Sequence, residues 1–404
     1  MGSFAMKPDI SVVETTAPVP IPSSELPASS SPSITLVPAT LLERYQCWHI
    51  NSHSWRGPLS TEQYISREAF LEHQLLTREG KITYWILTDT FLSVGADGAR
   101  PILAACETLR KEGYLGRNGN LRKLVTHGVG SVFCRKEYRG RGYASRMMTE
   151  LGKSLETWQQ EKGTKASFSV LWSDIGRSFY AAHGWKAMSN TRISLPVVSG
   201  QNSLQTQNKP DCSGVRDLNA QDLRDRICPK AIAILETNLR LRSEHRPNIP
   251  HIAIRPDYDH MEWQHARENF QAKTLFDRDP NIKGAEDLAT GCALIWCRVW
   301  GEVPQNNKLH ILHTVIPTDV KGDAISSIAA LLLRAQMEAK TWDMHGGVEL
   351  WSPTPDVVNA AQSLAGIERV QTTIRDKESV CSLRWIGGEG EEVEWVADER
   401  YCWC

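Results

Sequence analysis

The 404-residue chain has almost no net charge: 46 Lys and Arg face 47 Asp and Glu, leaving −1. Without a global basic field to hold a phosphate backbone, a dedicated nucleic-acid binder is excluded. No apolar run approaches the ~18 residues that a membrane-spanning helix needs. The ten cysteines include no C-x-x-C pair, so a structural zinc site is not expected. They are also too sparse for a disulfide scaffold. There is no N-x-[ST] sequon and no apolar segment of the secretory type. The expectation is a cytoplasmic protein with reduced thiols and no metal. Two phosphate-binding motifs are missing as well. G-x-x-x-x-G-K-[ST] does not occur, and the dinucleotide fingerprint G-x-G-x-x-G fails at Ser145.

What is present is globular: 41% hydrophobic and 23% charged residues. The length suggests two or three domains. Residues 1–33 are rich in Pro, Ser, Ala and Thr and read as a disordered tail. They carry no arginine, since the first is Arg44, which is wrong for an organellar transit peptide. The opening Met1–Met6 also lacks the hydroxyl residue of a myristoylation motif. From residue 34 strand and helix signals alternate, which indicates a mixed α/β fold. Strands are expected at 34–38, 81–90, 101–109, 124–134 and 166–172. Helices are expected near 40–50 and 61–78, from Tyr143, and over 174–182. The glycines in Leu124–Cys134 suggest a bulge or a close backbone approach. Residues 186–198 read as a final strand region and 199–214 as a polar linker.

The second half echoes the first. Leu350-Trp351-Ser352 follows Leu171-Trp172-Ser173 by the same 179 residues that separate Ala360-Ala361 from Ala181-Ala182. A strand at 309–317 and an amphipathic helix at 324–342 fall where the 124–134 strand and the Tyr143 helix would repeat. Duplication of one domain is expected. The copies differ where chemistry would sit. Thr318–Ala324 has a single glycine, Gly322, and no arginine where Arg139–Ala144 has two of each, and Asn359 stands where Tyr180 would. His310 and His313 lie three apart on a strand and face opposite sides, so they do not share a metal.

Arg139-Gly140-Arg141-Gly142-Tyr143-Ala144 lies between a strand and a helix start. Unpaired N–H groups and the positive end of the helix dipole meet there two glycines and two arginines, which makes a cradle for a pyrophosphate. The pattern Val132, Arg139, Gly142, Ala144 resembles the acetyl-CoA loop of GNAT N-acetyltransferases. The run Ser173-x-x-Gly176-x-x-Phe179-Tyr180-x-x-x-Gly184-Trp185 is similar to a second motif of that superfamily, with Ser and Gly in place of its Asn and Ala.

The resemblance implies an α/β (mixed α+β) fold of tandem GNAT-like domains, each a mostly antiparallel sheet flanked by helices. Residues 34–198 would be catalytic. Residues 215–404 would be a degenerate copy that completes the substrate site. Acetyl-CoA would be the cosubstrate, with the backbone of Val132, Phe133 and Cys134 on the pantetheine arm. The segment Arg139, Gly140, Arg141, Gly142, Tyr143, Ala144 and Ser145 would hold the pyrophosphate, and Ser173 of the second motif would also bind the cofactor. Tyr180 would protonate the leaving CoA thiolate.

Across nearly the whole ordered chain, the segments Arg255-Pro-Asp257 and Met261–Phe270 and the ending Tyr401-Cys-Trp-Cys404 look like the fungal lysine ε-N-acetyltransferases of lysine catabolism. This implies free L-lysine as the acceptor. A polyamine, a secondary metabolite or a protein lysine is the alternative acceptor, and a non-catalytic acetyl-CoA sensor is the alternative outside catalysis. Lysine's amine has a pKa of about 10.4, so freeing it of its proton at pH 7 costs roughly 4–5 kcal/mol, and a base is expected. Glu107, His127 and Asp174 are candidates near strand ends. By analogy with other tandem GNAT enzymes, the α-carboxylate of Cys404 is another.

Overall fold

The computed structural model describes residues 18, 20–163, 166–197, 210–320, 322–365, 370–388 and 390–403. Thr40 and Ser60 each close a capping box with Glu43 and Gln63, and so start α1 (Leu41–Trp55) and α2 (Thr61–Leu71). β1 (Ile34–Pro38), β2 (Ile82–Asp89), β3 (Ala104–Arg117) and β4 (Asn120–Phe133) pair antiparallel in sequence. The β3–β4 turn is Asn118-Gly119, and positive φ at both residues matches the right-handed strand twist. α3 (Tyr143–Ser154) buries Met147, Met148 and Leu151 against this sheet and leads to β5 (Phe168–Ser173), which runs parallel to β4. α4 (Ser178–Ala181), β6 (Lys186–Ala187) and β7 (Thr191–Leu195) follow.

The second half begins with β8 (Val215–Leu218), α5 (Ala220–Asp222), α6 (Cys228–His245), β9 (His251–Ile254) and α7 (Tyr258–Phe276). β10 (Gly284–Asp287), β11 (Ala293–Val299), β12 (Lys308–Val315), α8 (Ala324–Thr341), β13 (Val348–Trp351) and α9 (Pro355–Ala365) come next, and β14 (Gln371–Ile374), β15 (Val380–Trp385) and β16 (Glu394–Trp395) end the series. The repeat is visible as β4-α3-β5-α4 against β12-α8-β13-α9, each with a parallel strand pair.

The chain halves do not each own one sheet. The first sheet runs β1-β2-β3-β4-β5-β15-β6, with β9 on β3 and β16 on β9. The second runs β14-β7-β13-β12-β11-β10-β8. Thus β15, from the second half, covers the free edge of β5, and β7, from the first, covers the edge of β13. The expected strand region 186–198 is therefore two strands in two sheets. The exchange joins the halves by main-chain hydrogen bonds, and the division at 199–214 is a division of the chain only. Residues 199–209 of that linker region lie outside the described residues.

A wholly disordered tail is not what residues 20–33 form. The N–H of Ile21 donates to Tyr138 Oη at 2.7 Å, Tyr143 Oη donates to the carbonyl of Pro27 at 2.5 Å, and Arg146 Nη1 donates to that of Ser29 at 3.1 Å. Ile21 and Leu26 pack on the core under α3.

Candidate active site

The site begins where two parallel strands part. β4 and β5 are paired at His127–Ser169, Gly128–Val170 and Val129–Leu171, and no further. β5 continues to Ser173 with β15 on its other edge, whereas β4 continues to Phe133 along β3. The β3–β4 register slips between Ala105 and Glu107, opposite Phe133 and Gly130, and Ser131 adopts φ +50°. This is the bulge that the glycines suggested. It leaves Gly130 to Val132 lining the opening instead of paired to β5.

The loop after β4 leads into the start of α3. Arg139, Gly140, Arg141 and Gly142 are exposed, and Arg139 Nε donates to the carbonyl of Cys134 at 3.2 Å. Gly142 is the N-cap at φ +86°, with no side chain on the first N–H groups. The matching helix differs: Asp323 caps α8, its carboxylate accepting from the N–H groups of Ile325 and Ser326 at 3.0 and 3.2 Å. An anion can dock on α3, and α8 already has one. Tyr143 is buried and bonded to Pro27, so it serves as an anchor beneath the loop.

Other expected residues go elsewhere. Ser145 Oγ lies 3.1 Å from His183 Nε2 and ties α3 to the end of α4. Ser173 accepts from the N–H of Ile175 and donates to the carbonyl of Gly176 at 2.6 Å, so its hydroxyl shapes the turn before α4. Cys134 Sγ donates to the carbonyl of Leu103 at 3.5 Å, and burial raises its thiol pKa. His127 is fully buried, partnered with Gln159, and held down at about 4 by desolvation. It does not line the opening. His310 and His313 have separate carboxylate neighbours, Glu349 at 3.7 Å and Glu399 at 2.5 Å. Cys404 lies outside the described residues.

A cleft of ≈ 190 Å³ runs below the parted strands. Its walls include Val129 to Val132, Glu107, Asp174 and Tyr180 from the first half, and Trp263, Arg267 and Trp403 from the second. Tyr180, on α4, is 8% exposed; burial raises its phenol pKa, and Cys106 and Asp174 add to the shift. Glu107 is buried, and desolvation with Glu68 nearby lifts its carboxyl to about 7, against a hydrogen bond from Ser131. A proton donor and a carboxyl that changes charge near neutrality thus share one cleft.

Sequence reading missed the far wall of the cleft. α2 supplies Tyr64, Arg67 and Glu68, spaced i, i+3, i+4 on one helix face, and α7 supplies Trp263 and Arg267 at i, i+4. That spacing was the available signal. The tail threads the second half on its way to the cleft. β12 and β13 part after Ile311–Leu350, and there Glu399 Oε2 accepts from the N–H of Thr314 at 3.0 Å. Arg400 stacks on the Trp351 ring, 4.4 Å from its centre. Beyond it, the buried Nζ of Lys111 donates to the carbonyl of Cys402 at 2.8 Å, and Gln264 donates to that of Trp403 at 3.1 Å. The opening that is a cleft in the first sheet is filled by the chain's own tail in the second.

Residues 196–404 match the family described as the LYC1 GNAT-like C-terminal domain. The chain is 25% identical over 390 residues to the uncharacterized protein YGR111W of Saccharomyces cerevisiae, covering 87% of this chain and 93% of that one. A lysine acetyltransferase of Yarrowia lipolytica is 27% identical over 157 residues, 35% of this chain and 38% of that protein. Among solved structures, a protein of unknown function from Enterococcus faecalis, titled a probable N-acyltransferase, shares the fold at a TM-score of 0.51 and 10% identity, over 88% of this chain and 72% of that one. The family match covers more than half of the residues, and its fold is the one built above: the chain belongs to the LYC1 GNAT-like family and is an acyltransferase of the GNAT type.

Proposed function

We propose that the protein transfers acetyl from acetyl-CoA to the ε-amine of free L-lysine, in the cytoplasm, as a step of lysine catabolism. The observation that carries the reading is the cleft itself, which holds main-chain groups freed by the parting of β4 and β5, a protonated Tyr180 and the near-neutral Glu107. The Yarrowia relative, itself a lysine acetyltransferase, supports the choice of acceptor. Closure of the cleft by Trp263, Arg267 and Trp403 favours a small acceptor over a protein chain.

In this reading residues 34–198 are the catalytic half and 215–404 a silent copy that completes the acceptor site. The acetyl-CoA loop is Arg139 to Ser145, with the pantetheine arm along Val132, Phe133 and Cys134. Glu107 takes the proton from the lysine ammonium, a role for which it is better placed than His127, and Asp174 is occupied by the N–H of Ser379 at 2.8 Å. The neutral amine attacks the thioester carbon, and the C–S bond breaks as the tetrahedral adduct collapses. Tyr180 gives its proton to the departing CoA sulfur.

The test is CoA release by purified protein with acetyl-CoA and L-lysine, D-lysine, ornithine or spermidine. Rapid release with L-lysine, and a product acetylated on the ε-amine, is expected. Release with spermidine alone would move the activity to polyamines, and acetyl-CoA binding without release for any amine would favour a sensor.

A further inference from the structure

Two guanidinium groups meet at the acceptor end of the cleft, and their donors are not used up. Arg67, on α2, has a side chain only 1% exposed. Its Nε and Nη2 both donate to Glu68 Oε1, at 2.8 and 2.5 Å, and its Nη1 is buried with no partner. Arg267, on α7, makes no hydrogen bond or ion pair among the described residues. It lies over the Trp403 ring, 5.4 Å from its centre. Burial and the neighbouring Arg67 cation both disfavour its charge, bringing it down to about 10.

Arg67 has Glu68 as its anion, but Arg267 has none bonded to it, and a buried cation without a bonded anion beside a second cation is strongly unfavourable. Among the cleft's own carboxylates, Glu68 relieves it only in part, by its charge and without a hydrogen bond to Arg267. Glu68 Oε1 is spent on Arg67, Glu107 is bonded to Ser131, and Asp174 is turned to Ser379. What would complete the set is a carboxylate from outside, since a guanidinium fork matches its two oxygens.

We propose that Arg67 Nη1 and Arg267 form a subsite for a carboxylate carried by the acceptor amine. This rests on reading the cleft as the acceptor site of an acetyltransferase. The acceptor class is then a free diamino acid: its carboxylate is held between α2 and α7 while its distal amine reaches Glu107. A polyamine has no carboxylate to offer. A lysine inside a protein has its own carboxyl locked in a peptide bond. Because one arginine comes from each half of the chain, the subsite exists only when the halves are joined.

The experiment compares L-lysine with cadaverine, which is the same chain without the carboxylate. In the unmodified protein kcat/KM should favour L-lysine on the order of 100-fold or more. In Arg267→Gln and Arg67→Gln the ratio should fall toward one, chiefly through a raised KM for L-lysine. Arg267→Lys, which keeps the charge without the fork, should recover part of it. An unchanged ratio in folded Arg267→Gln overturns the subsite. If the unmodified protein acetylates neither amine, the functional reading fails, and binding decides the subsite separately. A rise in Tm with L-lysine but not cadaverine, lost in Arg267→Gln, supports it, and no rise with L-lysine overturns it.

Discussion

Ser131 donates its hydroxyl to Glu107 Oε1 across 2.9 Å, and it does so from a left-handed backbone at φ +50°. The two facts have one origin. The β4 bulge places Ser131 and Val132 against the single Cys106 of β3, and Ser131 turns toward the carboxyl of Glu107, the partner of Gly130. The strand irregularity that opens β4 away from β5 therefore also fixes Glu107 beneath the opening.

If Glu107 is the base, kcat/KM should rise with pH through one ionisation near 7, the value its burial imposes. Glu107→Gln should remove that limb and lower kcat/KM on the order of 100-fold. Stability moves the other way. The folded carboxyl holds its proton more tightly than the unfolded one, from 4.5 up to about 7, so it favours the folded state at low pH. That contribution is lost as pH rises through the window, by about 3 kcal/mol at 1.36 kcal/mol per unit. Glu107→Gln should therefore show a higher Tm than the parent at pH 8 and a smaller difference at pH 5, as thermal denaturation at both values would show.

Tyr180 should act through its proton alone. Its phenol pKa is raised by burial, so it stays protonated across the working range. Tyr180→Phe keeps the ring packed on Phe179, 5.0 Å away, and removes only the donor. The expected result is a fall in kcat of ~100-fold with little change in the Kd for acetyl-CoA. A large loss of acetyl-CoA binding would instead make Tyr180 a packing residue.

Gly142 carries two demands at once. At φ +86° an L side chain is strained, and a Cβ there would lie 2.7 Å from Ser29 Oγ of the N-terminal strap. Gly142→Ala should cost about 1–3 kcal/mol in stability and raise KM for acetyl-CoA more than for the amine. Adding Ser29→Gly relieves the contact but not the torsion. The double variant should therefore recover part of the Tm loss, and full recovery would show that the backbone angle costs nothing.

What could be read from sequence was whatever local physics decides. The loop from Arg139 to Ala144 announced itself because a helix start needs no distant partner to present N–H groups. The Asn118-Gly119 turn and the β4 bulge depend likewise on nearby glycines. The exchange of β7 and β15 was hidden, because strand pairing is long-range and nothing in either short strand names its partner. The acceptor end was hidden for a related reason. Arg67 and Arg267 are 200 residues apart in sequence, and on its own each looks like an ordinary helical arginine.

The C-terminal tail allows a last test, which separates two sources of the base. Trp403 forms part of the cleft wall, and Lys111 and Gln264 hold the main chain on either side of it. Removing Trp403 and Cys404 strips that wall and moves the terminal carboxylate back to Cys402, whose carbonyl oxygen Lys111 holds, while Glu107 and Ser131 stay in place on β3 and β4. The truncated protein should fold, since Tyr401 and Cys402 remain buried, with the Tyr401 hydroxyl on the carbonyl of Ile254 at 2.7 Å. Its KM for L-lysine should rise through loss of the Trp403 face over Arg267. If Glu107 is the base, the rise of activity through pH 7 survives in what turnover remains. Loss of that limb, with a normal limb in Glu107→Gln, would transfer the role to the terminal carboxylate.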